Sequence, residues 1–325
     1  MRVLVTGGAG FIGSSVVHVL LGAGHEVGVI DDLSTGRAEN LHPAAWFRML
    51  DILDASLEAL VGEFGPDAVV HLAAQASVPA SIKDPERDWA VNAEGTRLVA
   101  SAAAKAGAQR VLSASSAAVY GDPREVPLRE SAPTNPLSPY GRSKLEAEVL
   151  LARELTDRDV DFASLRFSNV YGPRQDAEGE GGVVSIFFDV VRRGGRPVIF
   201  GDGRQTRDFI YVADVAAAIL AALDSRERLS LGVAEPEAEA GRRTRQSASA
   251  YNVSTGSETT VKQLTDDIRS ITGYQGDFAH EPAREGDIER SALDPKKAHD
   301  AFGWTARASL EAGLAATWRW VATSP

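Results

Sequence analysis

Tyr140 and Lys144 stand four residues apart in the stretch SPYGRSK (138–144). On a helix that spacing puts both on one face. A free phenol has a pKa near 10 and is a poor base at neutral pH. An ammonium ~6 Å away, at an effective dielectric of ~20, favours the phenolate by roughly 3 kcal/mol. That is about two pKa units, which brings the phenol toward the range where general acid–base catalysis works best. Lysine suits the task better than arginine, because a compact ammonium can donate to hydroxyls and still keep its charge beside the phenol. The competing reading is an exposed Tyr–Lys pair on a solvated helix. Other elements decide between the two, if they bring a cofactor and a hydroxyl to the same place.

The first such element is LVTGGAGFIGSS (4–15), with Gly7, Gly10 and Gly13 between a strand and a helix. The spacing is GxxGxxG. Gly7 permits a tight turn, Gly10 lets the backbone approach a pyrophosphate, and Gly13 allows close helix–strand packing. The helix then turns its positive end toward the phosphates. The next strand ends in Asp31-Asp32. A carboxylate there accepts from adenosine-ribose hydroxyls and repels a 2′-phosphate, which favours NAD over NADP. Arg37 is the nearby cation that weighs the other way. Asp51, in LDILD (50–54), reads either as a residue near the adenine or as a turn carboxylate. The second element is SASSAAVYGDP (113–123), which puts Ser115 and Ser116 at the end of a strand. A serine there could hydrogen-bond a reacting oxygen or cap the following turn.

The whole chain sets bounds on this chemistry. It has 325 residues, 44% hydrophobic and 24% charged, which suits an ordinary globular protein of two lobes, or one large α/β domain with additions. Thirty-four basic against 45 acidic side chains give −11, which argues against nucleic acid or an anionic membrane as partner. A small anion held by a few arginines remains compatible with it. The absence of cysteine excludes disulfides, thiolate metal sites and cysteine nucleophiles. The six histidines (18, 25, 42, 71, 280 and 299) show no metal-binding spacing, so no metal is expected. The longest apolar runs, VVSIFFDVV (183–191) and VADVAAAILAAL (212–223), are too short to span a bilayer. MRVLVTGG leads straight into a strand and turn, so the expected location is cytoplasmic.

Apolar runs at 2–7, 26–31, 67–73, 110–115 and 162–168 read as strands. Helical patterns lie at 12–24, 55–64, 86–107 and 140–158, and later at 260–273 and 294–304. The alternation implies an α/β protein with a Rossmann-type, doubly wound parallel sheet, and a smaller mixed α/β C-terminal lobe for the substrate. The expected division is a dinucleotide-binding domain at 1–167 plus about 204–223, and a second lobe at about 168–203 and 224–325. The stretch 224–250 is mixed in charge and poor in periodicity, and reads as a mobile surface insertion.

Taken together, TGGAGFIG, DDLSTG, HLAAQASV, SSAAVYG, SPYGRSK, LRFSNVYGPRQ, GDGRQTRDFIYVADV, YNVSTG and REGDIERSALD resemble the extended short-chain dehydrogenase/reductase family in its NAD-dependent epimerase/dehydratase group, nearly end to end. The resemblance implies a catalytic triad of Ser116, Tyr140 and Lys144, with Ser115 as the neighbouring alternative to Ser116. It implies NAD as cofactor. The cofactor-binding residues it suggests are Gly7, Gly10, Phe11, Ile12 and Gly13; Asp31, Asp32, Ser34, Thr35 and Gly36; Asp51 and Ile52; Leu72, Ala73, Ala74 and Gln75; and Asn92, Ser115, Tyr140 and Lys144. For a UDP-sugar substrate it suggests Ser116, Tyr140, Asn169, Val183, Val184, Arg207, Arg284, Asp287 and Ser291. Within the family the chain is most similar to bacterial 4-epimerases of UDP-glucose and UDP-galactose.

Departures from related groups sharpen this. Dehydratases of the family carry Asp-Glu where this chain has Ala117-Ala118, and alanine cannot transfer a proton. Hexuronate 4-epimerases place an arginine where this chain has Asp176-Ala177-Glu178, and those acids would repel a sugar carboxylate. The small Ser291 leaves room for an N-acetyl group. Ala76 replaces a lysine that touches the cofactor phosphate, which puts permanent NAD retention in question. Helices at 92–107 and 140–155 resemble the pair that forms a four-helix homodimer contact. The rival readings are a hexuronate epimerase, a net NAD(P)H-dependent keto-sugar nucleotide reductase, and a non-catalytic NAD sensor.

Overall fold

The computed structural model describes residues 1–177, 182–231, 249–283 and 287–323. The first strands are β1 (Arg2–Thr6), β2 (Glu26–Asp31), β3 (Trp46–Met49), β4 (Ala68–His71), β5 (Arg110–Ser116) and β6 (Asp161–Phe167). Shorter ones follow: β7 (Asn169–Tyr171), β8 (Val198–Phe200), β9 (Thr206–Arg207), β10 (Phe209–Tyr211), β11 (Ala250–Val253), β12 (Thr259–Thr260) and β13 (Ala279–Glu281). The helices of the first half are α1 (Phe11–Gly22), α2 (Leu57–Phe64), α3 (Val78–Lys83), α4 (Pro85–Trp89), α5 (Gly95–Lys105) and α6 (Pro139–Leu155). Those of the second half are α7 (Val183–Arg192), α8 (Val212–Asp224), α9 (Val261–Thr272), α10 (Lys296–Phe302) and α11 (Leu310–Thr323). A π-helical turn, Ala90–Glu94, joins α4 to α5.

The main sheet runs β3-β2-β1-β4-β5-β6-β11, with every neighbouring pair parallel. Period-two alternation divides its core. Val3 and Val5 face one layer with Val17, Leu20 and Ile219, brought by α1 and α8. Leu4 faces the other with Phe64, Val99 and Leu151, brought by α2, α5 and α6. Strands buried on both faces read as continuous apolar runs, which is why most of them are visible in the sequence. The strand order reverses between β1 and β4, and that opens a crevice at their carboxyl ends. A second core forms the smaller lobe, built on Tyr171, Phe187, Phe188, Phe209, Leu264 and Leu314.

Four features differ from the expectation. β3 is absent from it: this is a four-residue edge strand whose Arg48 and Met49 are exposed, so it lacks an apolar run. α3 is a short helix capped by Ser77, with a proline in its first turn. Ala250–Val253, expected in the second lobe, completes the main sheet beside β6. The expected insertion at 224–250 is also packed at its ends. Leu229 is buried, its carbonyl accepts from Tyr251 Oη at 2.9 Å, and Ser230 N donates to Asp161 Oδ1 at 2.9 Å. Residues 232–248 of that expectation lie outside the described residues.

A buried ionic chain ties the sheet to α6 and to the later chain. Arg166 on β6 donates to both oxygens of Glu148, through Nε at 2.8 Å and Nη2 at 2.7 Å. Both side chains are 1% exposed. Arg166 Nη1 also donates to Tyr120 Oη at 2.9 Å, which donates to Asn252 Oδ1 at 2.8 Å. Removing one partner of such a pair strands a charge in a dry core, whereas replacing both by apolar groups does not. Arg166→Met is therefore expected to cost about 3–5 kcal/mol in urea unfolding, and Arg166→Met with Glu148→Leu to recover most of it. Equal losses in the single and double variants would contradict this.

Candidate active site

The crevice at the β1–β4 reversal is lined first by the glycine loop. Gly7 has φ +72, and a Cβ there would lie 2.6 Å from Ala73 N. A Cβ on Gly13 would lie 2.0 Å from Gly7 O, so α1 can seat against the loop only with glycine at that position. Gly10 is the N-cap of α1, and it brings no side-chain cap and no acid into the first turn. The first-turn amides are thus left to an external acceptor, in a cradle that a side chain would fill. Those features fit a dinucleotide pyrophosphate. Phe11 is buried and Ile12 half-buried in this first turn.

Asp31, the candidate ribose acceptor, ends β2. It is 6% exposed, and its carboxylate accepts from Ala9 N at 2.9 Å and Leu33 N at 2.8 Å. Burial raises its pKa, and the two amides oppose that rise. Gly36 packs against it, since a Cβ there would lie 2.7 Å from Asp31 Oδ1. Asp32 is exposed and spends its Oδ1 on Ser34 N and Oγ, so of the two acids Asp31 belongs to the crevice. Ser34 and Thr35 are exposed. Asp51 accepts from Leu53 N at 2.9 Å and pairs with Arg87 at 3.1 Å, which fits the turn reading and leaves the adenine reading open. Ile52 packs in the core with Leu57 and against Gly95.

The loop after β4 is held by a bracket. Asn92, in the π-helical turn, accepts from Gln75 N at 2.9 Å and donates to Gln75 O at 3.0 Å. Gln75 Nε2 donates to Asp88 Oδ1 at 2.7 Å, and Ser143 Oγ donates to Asp88 Oδ2 at 2.6 Å. Leu72 and Ala73 are therefore fixed beside Gly7, and Ala74, half-buried, follows them.

A neutral imidazole lies beneath them, and its tautomer follows from its neighbours. Thr96 Oγ1 spends its hydrogen on Asn92 O at 2.6 Å, so it can only accept from His71 Nε2, at 3.1 Å. His71 Nδ1 is then the acceptor for Thr6 Oγ1, at 2.7 Å. Burial, and after it the Lys144 charge, lower the pKa of His71 to about 3, which agrees with a neutral ring.

α6 carries the candidate acid–base pair, Tyr140 and Lys144. Ser138 caps it by accepting from Gly141 N at 3.1 Å, and Pro139 opens it. Tyr140, half-buried in the first turn, donates its backbone amide to Ser81 Oγ at 3.1 Å. Lys144, one turn on, is 6% exposed and donates from Nζ to Ala114 O at 3.1 Å. Burial lowers its pKa to about 8, against the pull of Asp88 and Glu148. The bond to Ala114 ties the helix to the strand end that carries Ser116. Gly141 allows a close approach there, because a Cβ would lie 2.6 Å from Ala118 O. Of the two serines, Ser115 is buried and donates its hydroxyl to Glu148. Ser116 Oγ accepts from Ala118 N at 3.2 Å, which leaves its own hydrogen for a ligand.

In the second lobe, Arg207 donates from Nη2 to Asp287 Oδ1 at 2.8 Å and from Nη1 to the carbonyls of Thr206 and Ile288. Two residues expected to hold the nucleotide thus brace each other, and among the described residues Arg207 Nε has no hydrogen-bond partner. Asn169 is exposed on β7, Val183 is half-buried and Ser291 is 9% exposed. Val184 departs from the expectation: at 1% exposure it packs with Phe187 and Phe188 in the lobe's core. Arg284 and Glu178 lie outside the described residues. Among the described residues no group of three or more potential ligands could hold a metal. Sequence reasoning missed Asp88, Ser143 and Glu148. Glu148 stands four residues after Lys144, a spacing that could have revealed it.

The chain matches the NAD dependent epimerase/dehydratase family over residues 3–232 and belongs to it. It is 42% identical to a UDP-glucose 4-epimerase of Mycolicibacterium smegmatis, across 98% of this chain and 97% of that one. The UDP-glucose 4-epimerase of Thermus thermophilus, solved in complex with NAD, superposes with a TM-score of 0.89 at 37% identity, covering 100% of both chains. The UDP-glucose 4-epimerase of Thermotoga maritima, solved with UDP-glucose, gives 0.88 at 38% identity and 98% coverage of each.

Two stability effects follow from the buried bases. Lys144 has a folded pKa below its unfolded value, so its charge opposes folding at neutral pH. Lys144→Met is expected to leave the cofactor-free protein at least as stable as wild type at pH 7; a clear fall in the unfolding midpoint would contradict this. His71 also has a depressed pKa, so its contribution is present above pH 6.5 and is lost as pH falls toward about 3. His71→Gln should flatten stability against pH in that window, as read by urea titrations.

Proposed function

We propose that the chain is an NAD-dependent 4-epimerase of a UDP-hexose, UDP-glucose and UDP-galactose being the primary pair. The observation that carries this reading is the buried ammonium of Lys144. It is tied to the strand end bearing Ser116, stands one helical turn from Tyr140, and shares the crevice that holds the glycine cradle. NAD, when bound, supplies reversible oxidation at C4 of the sugar, so that the carbon passes through a ketone. Tyr140 takes the proton from O4 and later returns it. Lys144 holds the phenol toward its ionised form and, as an ammonium, donates to neighbouring oxygens. Ser116 donates to O4 and steadies it in both states. Gly7, Gly10 and Gly13 admit the dinucleotide, and Asp31 accepts from the adenosine ribose.

Arg207, Asp287 and Asn169 anchor the nucleoside diphosphate, Arg207 by charge-assisted bonds. Binding energy at this remote end lets the sugar stay loosely held, as one site must serve both epimers. Ala117 and Ala118 offer no carboxyl for dehydration. Asp176 beside the crevice counts against a uronate. Ser291 favours a wider pocket, in which N-acetylhexosamines are secondary substrates. We also propose that two copies associate through α5 and α6, in the cytoplasm, where a chain without cysteine needs no oxidising environment.

Tyr140→Phe is expected to lower kcat by about 10²–10⁴-fold, the span typical of positioned acid–base groups, with NAD still bound. Near-normal turnover would refute the assignment. The alkaline limb of kcat/KM should fall with an apparent pKa of about 8, where Lys144 loses its charge. Incubation with UDP-glucose, UDP-GlcNAc and UDP-glucuronate, with products separated and NADH followed, should give 4-epimers of the first two and no net NADH. Net consumption of NAD(P)H would favour a reductase.

A further inference from the structure

The stretch 172–177 leaves β7 of the second lobe and crosses to the dinucleotide crevice. Gly172, at φ +155, fits there against Val212, since a Cβ would lie 2.5 Å from Val212 Cγ1. Two residues on, Arg174 adopts φ +72, a left-handed conformation that is costly for any residue but glycine. Its guanidinium donates from Nη1 to Ser14 Oγ at 3.0 Å. Ser14 is 3% exposed and closes the first turn of α1, its own hydroxyl donating to Phe11 O at 3.2 Å. Arg174 is half-buried, and among the described residues no carboxylate pairs with it. Asp176 reaches the other rim, 3.6 Å from Arg37. Arg37 itself is anchored by its amide to Ala9 O at 3.1 Å, inside the glycine loop. The segment therefore touches both flanks of the cradle.

Charge balance gives this geometry a purpose. A pyrophosphate brings two negative charges, and a helix N-terminus answers with only about half an elementary charge. The chain has Ala76, exposed, in the loop after β4, and Arg37 is engaged by Asp176. Arg174 is held within one turn of the α1 N-terminus, with four of its five N–H groups beyond the Ser14 bond. A planar guanidinium donates to phosphate oxygens in pairs. We propose that Arg174 is a cofactor-binding residue, the cation that meets the NAD pyrophosphate, and that residues 172–177 bind the second lobe to the dinucleotide through it. This rests on NAD as cofactor and not on which sugar is turned over. Failure of the sugar assignment would leave NAD affinity as an intact readout.

The experiment is direct NAD titration, by calorimetry, of purified protein stripped of cofactor, for wild type, Arg174→Ala and Arg174→Lys. UDP is titrated separately, and unfolding midpoints are recorded without ligand. A charge-assisted bond is worth a factor of about 10–150 in affinity. Arg174→Ala should weaken NAD by at least tenfold with UDP affinity unchanged, and Arg174→Lys should fall between the two. Cofactor exchange, followed by release of labelled NAD on gel filtration, should quicken in the same order. Unchanged NAD affinity in Arg174→Ala would overturn the proposal, as would a loss of UDP affinity equal to the loss for NAD. If the alanine variant is less stable without ligand, Arg174→Met keeps the packed stem and decides by the same comparison.

Discussion

The site depends on a lysine that the fold buries although burial disfavours its charge. Lys144 sits inside α6, and its ammonium is offset by Asp88 and Glu148, whose fields oppose the desolvation. Each acid is itself tied down. Asp88 accepts from Gln75, Asn92 and Ser143, and Glu148 from Ser115 and Arg166. The ammonium therefore belongs to a polar core linking the loop after β4 and α4 to β5, β6 and α6. Asp88 and Glu148 each keep their own hydrogen-bond donors, so the cage around the ammonium does not depend on the ammonium itself. A charge in that position can act on the phenol one turn away with little screening from water.

This constraint explains where the glycines fall. Gly13 lets α1 meet the loop, Gly141 lets α6 meet the turn after Ser116, and Gly7 lets the loop after β4 pass close by. Each removes a Cβ where two backbones must approach. The three approaches bring the cofactor cradle, the serine strand and the acid–base helix to one crevice. Fold and chemistry share the same contacts there, and His71, kept neutral, fills the space below without adding a second positive charge.

Much of this was legible in the sequence, for physical reasons. Parallel strands buried on both faces leave apolar runs, and helices between them leave 3.6-residue periodicity, so the sheet could be read. Gly7 and Gly13 were legible because close backbone approach admits few residue types. β3 was not, as an edge strand with Arg48 outward has no such run. β11 was obscured by the long unpatterned stretch before it. Asp88 and Ser143 gave no signal, because buried polar brackets are set by tertiary contact. Val184 was misjudged because one helix turn presents neighbouring valines to different surroundings: Val183 is half-buried, and Val184 is deep in the lobe's core. Asp51 carried two readings, and its bonds to Leu53 N and Arg87 were not legible in the sequence.

The place of β11 in the sheet has a consequence for how the chain is made. Ala250–Val253 pairs with Ser164–Phe167, more than 80 residues earlier, and Asn252 receives the hydroxyl of Tyr120. As the polypeptide leaves the ribosome, β6 must wait with one edge bare, and Arg166 with its polar chain unfinished, until this late strand arrives. Contacts so distant in sequence close slowly. The nascent nucleotide half is thus a partly open sheet through much of synthesis, and its last strand arrives only after the first part of the second lobe's sequence has been translated.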